Sequence, residues 1–263
     1  MLIYIKGAGD LASGIALRLH HARFKIVMTD LPVPTAVRRT VAFSEAIRLG
    51  STMVEDVKAE RADTVEQVRN CISRGVIPVV PVPADQVINS LHPEVIIDAI
   101  IAKRNLGTNI DDAQLVIGVG PGFTAGEDCH AVIETKRGHN LGRVIHEGSA
   151  IPNTGIPGEI GGETVNRVIR APIDGIFHPA KDFGNVVYKG DIVAYVDGTP
   201  VFTVISGIIR GMLQDGVYVT KGFKCGDVDP RGTSVDFMTV SDKAMAIAGG
   251  ALEAVAAFAA DQR

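Results

Sequence analysis

Apolar residues fall in short runs through the first half of the chain, with stretches of helical period between them. Residues 2–30, "LIYIKGAGDLASGIALRLHHARFKIVMTD", hold an apolar run, a glycine turn, an amphipathic stretch and a second apolar run that ends in an acid. This is the pattern of a strand, a crossover helix and a parallel strand. Four more apolar runs follow at "TMVEDV", "GVIPVV", "EVIIDAII" and "QLVIGV". Helix-period stretches lie among them, "FSEAIRLG" before the third run and "TVEQVRNCISRG" between the third and fourth. Six strands in this rhythm predict an α/β fold built on a doubly wound parallel sheet over residues 1 to about 120.

From residue 130 the long helical period disappears. "HAVIETKRGHNLGRVIHEG" predicts a hairpin turning at Arg137 to Asn140, and "IPNTGIPGEIGGE" reads as a connector rich in proline and glycine. Short alternating strands fill residues 165–240 with an imperfect echo, since "PIDGIF" and "YKGDIVAYV" resemble "VISGIIRG" and "KCGDVDP". Gly175 and Gly207 lie 32 residues apart, Gly190 and Gly226 36 apart. Two such halves can intertwine into a small β-barrel or sandwich. The alanine-rich end predicts a helix with Ser241 as N-cap, packing a stripe of Met245, Ala248, Leu252, Val255 and Ala259 into the core. The predicted organisation is a Rossmann-like domain with a hairpin extension over 1–160, a β-rich region over 161–240 and a C-terminal helix over 241–263.

Composition narrows the functions. A chain of 263 residues buries a core without disulfide or metal staples. A net charge of -4 with interspersed signs argues against nucleic acid or an anionic membrane as the main partner. Cys71, Cys129 and Cys225 are far apart and form no CxxC pair, so neither a disulfide framework nor a zinc site is expected. The chain enters a strand at once, leaving no room for a signal peptide, and no uncharged apolar run approaches the ~18 residues of a membrane span. The expectation is a cytoplasmic protein with small-molecule ligands and no assigned metal.

The first glycine loop, Gly7, Ala8, Gly9, Asp10, Leu11 and Ala12, fits G-x-G-x-x-[G/A] between a strand and a helix. Gly7 permits the tight turn, Gly9 lets backbone approach a phosphate, Ala12 allows close packing, and the helix start offers N–H groups to an anion. Asp30 ends the second strand 18 residues after Ala12, where an acid accepts from ribose hydroxyls. Arg38 and Arg39, shortly afterwards, are a competing sign of a phosphate. The other reading of the loop is a glycine turn with no ligand.

A second loop, "GVGPGFTAGEDCH", follows the run "QLVI". On a strand parallel to the first it opens on the same sheet edge. Gly118, Gly120, Gly122 and Ala125 then let backbone approach a ligand, and Thr124 adds a hydroxyl. Glu127 and Asp128 read as solvated acids. Cys129, beside His130, is the candidate nucleophile or chalcogen carrier, although neighbours on a strand point to opposite faces and a buried, inert thiol is the plainer reading. Cys71 and Cys225 are expected in cores. Asp98 ends a predicted strand, with Lys103, Arg104 and Asn105 close behind. Asp227 and Asp229 form a D-x-D that reads as an ordinary turn.

The strings "APIDGIF" and "YKGDIVAYV" resemble biotinyl and lipoyl carrier domains, but the hairpin that carries their lysine is "VDGTPVFTV" here. That implies a barrel-sandwich fold without a swinging arm. Taken together, "GAGDLASGIALRL", "PTAVRRTVAFSEA", "DAIIAKRNLGT", "VGPGFTAGEDCHAVIETKRGHNLGRVI", "PNTGIPG" and "GDVDPRG" resemble the YqeB-type accessory proteins of selenium-dependent molybdenum hydroxylase systems. XdhC-type maturation factors are a more distant likeness. The resemblance implies a cytoplasmic helper of xanthine dehydrogenase-type hydroxylases, which carry molybdopterin cytosine dinucleotide and a labile selenium, and the first hypothesis is a maturation factor that binds this dinucleotide between the two glycine loops and passes it on. That ligand has a pyrophosphate, as NAD(P) does, so the first loop suits either. The alternatives are an NAD(P)-dependent oxidoreductase and an assembly scaffold with a vestigial nucleotide site. Oligomeric state stays open.

Overall fold

The structure, a computed structural model, describes residues 1–262 of the 263. The chain forms two compact units. One comprises Met1–Pro34, Val41–Thr154 and Val240–Arg263, and the other Thr35–Thr40 and Gly155–Thr239. Three details differ from the expected organisation: residues 35–40 and residues 155–160 cluster with the second unit, and the C-terminal helix belongs to the first.

The first unit opens with β1 (Leu2–Lys6), α1 (Asp10–His21) and β2 (Lys25–Asp30). Then come α2 (Glu45–Leu49), β3 (Ser51–Val54), β4 (Val57–Arg61), α3 (Val65–Ser73), β5 (Ile77–Pro81), α4 (Asp85–Asn89), β6 (Val95–Asp98) and β7 (Leu115–Val119). It is completed by β8 (Thr124–Ala125), β9 (Ala131–Ile133), β10 (Val144–Ile145), β11 (Gly148–Ser149) and, at the end of the chain, an α-helix at Asp242–Asp261. Nine strands make one sheet in the order β10-β9-β7-β6-β1-β2-β5-β4-β3. All neighbours from β9 to β4 run parallel, and β10 and β3 are antiparallel edges. The chain moves outward from β1 through β2 to one side and through β6 to the other, so the strand order reverses between β1 and β6.

One predicted strand is corrected. "TMVEDV" is the edge arm and turn of a hairpin, with Glu55 at φ 52, and the parallel strand beside β5 is β4, "VKAER". Only Val57 and Ala59 of β4 are fully buried, so β4 lacks the continuous apolar run that marks β5. The hairpin expected at Arg137 to Asn140 is present, pairing Ile133 with Val144. α3 starts where Thr64 and Gln67 form a reciprocal capping box.

Strand alternation builds two cores. Ile3 and Ile5, with Ile97 and Ile117, pack in one core with Ile15 and Leu19 of α1, whereas Leu2 and Tyr4 face the opposite side, where Val27, Val68, Val80 and Ile88 pack. The terminal helix Asp242–Asp261 joins the first core. Its buried residues are Ala244, Ile247, Ala248, Gly250, Ala251, Ala254 and Val255, so the buried stripe is shifted from the predicted one and Met245 and Leu252 lie at its margin. Gly14 of α1 makes the close approach, since a Cβ there would sit 2.9 Å from the Ala244 Cβ. At 20 residues and mean hydropathy 1.4 this helix has the length and composition to cross a membrane, but its small-residue face is occupied by α1.

The second unit contains β12 (Val168–Arg170), β13 (Gly175–Pro179), β14 (Val186–Val187), β15 (Ile192–Val196), β16 (Thr199–Phe202), β17 (Gly207–Met212), β18 (Val217–Val219) and β19 (Lys224–Asp229). They form two four-stranded antiparallel sheets, β12-β19-β17-β14 and β16-β15-β13-β18. The halves interlock: β14 follows β13 but pairs with β17, and β18 follows β17 but pairs with β13. Phe177, Val193, Val201, Ile209, Met212 and Val228 lie in the shared core. Asp227 and Asp229, expected in a turn, are instead buried at the end of β19. Asp227 is paired with Arg167 and Arg210, and Asp229 with Arg231 at 2.8 Å. Arg167 and Arg210 come from separate elements, which short-range turn chemistry does not show, whereas Arg231 lies two residues after Asp229.

Candidate functional site

Parallel strands aim their C-terminal ends at one edge, so β1, β2, β6 and β7 deliver Gly7, Asp30, Asp98 and Gly120 to the same side of the sheet. The strand order reverses at this edge between β1 and β6, the position at which open α/β sheets commonly bind ligands. Gly7 takes φ +95, and its N–H donates to Thr29 O at 2.9 Å, so the chain turns sharply off β1. Ala8 is fully buried and Ala12 nearly so, holding α1 close to the sheet. Gly9 is the N-cap of α1, at φ −73, and no side chain caps the helix.

The glycines differ in what they are for. A Cβ on Gly7 would meet the Ala99 carbonyl oxygen at 3.0 Å. Gly118 has no space because the Phe123 ring lies on it, and Gly120, at φ +84, faces Thr135 Oγ1 at 2.9 Å. Gly122, at φ +112, lies 2.6 Å from Arg104 backbone. Each of these glycines is required by the protein's own packing. Gly9 has an ordinary φ and nothing within 4 Å. The fold makes no demand for glycine there, whereas a ligand approaching the helix start does.

Asp30 closes over the loop. Its Oδ2 accepts the Ala8 N–H at 2.7 Å and its Oδ1 accepts the Leu31 N–H at 2.7 Å. Burial pushes its carboxyl above the usual range, and those two hydrogen bonds only partly offset the rise. Beyond it, Leu31 and Val33 are exposed, as is Ile100 after β6. These exposed apolar side chains follow directly on the strand ends that carry Asp30 and Asp98. Behind the loop, the Ser44 N–H donates to Ala8 O at 2.9 Å, and the fully buried Ser44 Oγ has no hydrogen-bond partner among the described residues.

Sequence reasoning missed a polar chain beneath the loop. Lys6 and Asp98 are paired across β1 and β6. Lys6 Nζ donates to Thr108 Oγ1 at 2.8 Å, and Thr108 Oγ1 donates to buried Asp98 Oδ2 at 2.7 Å. Asp112 lies 3.5 Å from Lys6. One strand over, Tyr4 and Thr29 share a 3.0 Å hydrogen bond, and burial raises the Tyr4 hydroxyl above its ordinary value. A lysine alternating with apolar residues in "LIYIKG" was the available signal. The chain after β6 is strained: β-branched Ile101 has φ 61 and Lys103 φ 65.

Other predicted residues serve the fold. Thr124 lies in the β8–β11 pair, its hydroxyl 3.0 Å from Ser149 Oγ. Asp128 is not a solvated acid: Oδ2 accepts from Thr124 N–H and Oδ1 from the Asn105 amide. Arg39 donates from Nε to Met212 O and stacks on Phe183, and Arg38 donates to Thr239 O. Both belong to the second unit. Cys129 is fully buried among Phe123, Val116 and Val132, and burial pushes its thiol up to about 11. His130 does not pair with it, since its Nδ1 accepts the Val116 N–H at 3.0 Å. A neutral thiol in that environment is not a nucleophile. All three cysteines are free and buried. No cluster of three or more His, Cys, Asp or Glu suited to a metal occurs among the described residues.

Fold and site together define a mixed α/β protein with a parallel-sheet core, antiparallel β-sheets, a C-terminal helix and a glycine loop at the reversal point of its sheet. Its sequence relationship is to YqeB. Over 254 residues, 97% of its length, the chain is 50% identical to the uncharacterized protein YqeB of Escherichia coli strain K12. It spans about half of that relative, 47%. No family model matches the chain. Among solved structures, an aspartoacylase family protein of Mesorhizobium loti aligns over 86% of this chain and 84% of its own at 8% identity, with a TM-score of 0.26, too low to support any comparison.

Proposed function

We propose that the first unit is a Rossmann-like nucleotide-binding domain, the second a barrel-sandwich domain without a carrier lysine, and the chain a cytoplasmic maturation factor for selenium-dependent molybdenum hydroxylases. Its cargo is a dinucleotide, molybdopterin cytosine dinucleotide or a close relative. The pyrophosphate lies over Gly9 and the start of α1, Asp30 accepts from a ribose hydroxyl, and Leu31, Val33 and Ile100 flank the base. The second loop, Gly118 to Thr124, is a shaped wall two strand positions from β1, ~10 Å away along the sheet, and touches the ligand through backbone alone. Cys129 takes no chemical part. The observation that carries the reading is Gly9, a glycine that the fold does not need, at an uncapped helix start. A second reading, NAD(P)-dependent redox chemistry in the same crevice, draws on Lys6, whose ammonium is linked through Thr108 to Asp98.

The test is complementation. In a host lacking its own copy, the wild-type chain should restore activity of a selenium-dependent molybdenum hydroxylase and Gly9→Val should not, with both chains present at equal level. Full restoration by Gly9→Val would make the nucleotide site dispensable and leave a scaffold. Oxidation of NAD(P)H by the purified protein, lost in Lys6→Met, would establish the redox reading.

A further inference from the structure

β2 and β5 are parallel neighbours, and the helices that lead into them, α1 and α3, lie on opposite faces of the sheet. Both helices end at the edge remote from the glycine loops, and both end in the same way. After α1 the Arg23 N–H donates to His20 O and the Phe24 N–H to Leu19 O; after α3 the Gly75 N–H donates to Ile72 O and the Val76 N–H to Cys71 O. These are two Schellman turns, each with one residue in the left-handed region, Arg23 at φ 70 and Gly75 at φ 71. Glycine is the residue such a turn favours, and α3 has it. α1 holds an arginine there, a strained choice that the turn does not ask for. Basic side chains at a helix end often satisfy its last carbonyls, but the Leu19 and His20 carbonyls are already taken by backbone N–H groups. Neither the Arg23 guanidinium nor the Lys25 ammonium makes a hydrogen bond or ion pair among the described residues.

Between the two turns lies a cavity of about 260 Å³. Ile26, Ile72, Val76, Ile77 and the Phe24 ring give it apolar walls, Arg23 and Lys25 stand exposed on it, and no acid is among its lining residues. His20 braces it by joining one turn to the other: its Nε2 donates to Gly75 O at 2.9 Å, since a carbonyl only accepts. Unpaired cations beside apolar walls suit a ligand with one charged end and a hydrocarbon body. Both helices direct their negative ends here, which disfavours a dianion such as phosphate. The volume lies below the roughly 300–1,000 Å³ of drug-sized sites, so the ligand is small. We propose that the cleft between the α1 and α3 turns binds a small organic monoanion, a carboxylate with a short aliphatic or aromatic body. Arg23 and Lys25 hold the carboxylate, the isoleucine walls hold the body, and the strain at Arg23 is retained for this ligand. The site is independent of the nucleotide reading, because it lies at the opposite edge of the sheet and shares no residue with it.

The experiment titrates the isotope-labelled full chain with hexanoate and benzoate, and separately with hexanamide, benzamide and inorganic phosphate, and follows backbone amide shifts by NMR. The two carboxylates should give saturable shifts centred on Arg23 to Ile26 and Gly75 to Ile77, and the amides and phosphate should not. Arg23→Gly should unfold no more easily than wild type, because the turn favours glycine, yet lose carboxylate affinity about tenfold or more. Lys25→Gln should also weaken binding, and Gly9→Val should leave it unchanged. Carboxylate shifts that do not saturate, or equal binding of the amides or of phosphate, overturn the proposal. So does either cleft variant that binds as wild type does, and so does an Arg23→Gly variant that unfolds more easily, since the arginine then serves the turn.

Discussion

The two glycine loops of the first unit resemble each other in sequence and differ in what their glycines do. In the second, Gly118 makes room for Phe123, Gly120 for Thr135 and Gly122 for the Arg104 backbone, and two of the three need a left-handed φ. In the first, Gly7 is likewise required by the turn, but Gly9 is free of every such constraint. A glycine is a sign of a ligand only where the fold has no use for it. By that criterion the site concentrates at Gly9 and the start of α1, and "GVGPGFTAGEDCH" is chiefly a packed corner.

Substitutions at the two loops should therefore separate stability from binding. The largest effect is expected at Gly122→Val, where a β-branched residue meets both a forbidden φ and backbone at 2.6 Å. The loss should be about 3 kcal/mol in denaturant unfolding. A cost below about 1 kcal/mol would mean that the corner yields and that the contrast between the loops is false. Next is Gly9→Val, which should change stability by less than about 1 kcal/mol while lowering dinucleotide affinity at least tenfold, measured by titration calorimetry. Equal loss of stability at both sites would remove the distinction.

Asp30 sharpens the comparison through pH. Its carboxyl is raised in the folded state, so the unfolded chain releases that proton more readily. The stability it contributes is full below the ordinary aspartate value near 3.8 and is lost as pH rises through the higher folded value. Relative to Asp30→Asn, the wild type should thus gain stability on acidification across that window, as read from urea midpoints at a series of pH values. An opposite slope would show that the Ala8 and Leu31 N–H groups outweigh burial. The smallest effect belongs to Cys129. With its thiol near 11 and no exposure, it should resist a thiol reagent at pH 8 until the protein unfolds, and Cys129→Ala should leave ligand affinity unchanged. Rapid labelling in the folded state would return it to consideration as a nucleophile.

The parts of the fold legible in the sequence are those with local causes. β1, α1 and β2 are marked by a run, a glycine turn and an amphipathic period, and the terminal helix by alanine and its Ser241 cap, whose hydroxyl accepts from Ala244 N–H. β4 was hidden because, next to the edge strand β3, it buries only alternate residues, Val57 and Ala59. The site was half legible. The Gly7 to Ala12 loop and Asp30 are neighbours in space as their spacing implies, whereas Lys6, Thr108 and Asp98 are joined by strand register, which only the sheet order supplies. Cys129 and His130, adjacent in sequence, do not pair, as expected of strand neighbours that point to opposite faces. Arg167 and Arg210, which pair with Asp227, were invisible for the same reason that Lys6 was: their contacts span many residues.

The most direct measurement of the central claim is an anaerobic thermal-stability panel of wild type and Gly9→Val with NAD, NADP, CTP and molybdopterin cytosine dinucleotide. Ligand at 100 times its dissociation constant adds ~2.7 kcal/mol, roughly 5 to 11 °C for a chain of this size. The predicted result is stabilisation of wild type by the pterin dinucleotide and none of Gly9→Val. Wild-type protein that no nucleotide in the panel stabilises, or a Gly9→Val variant stabilised as fully as wild type, would contradict it.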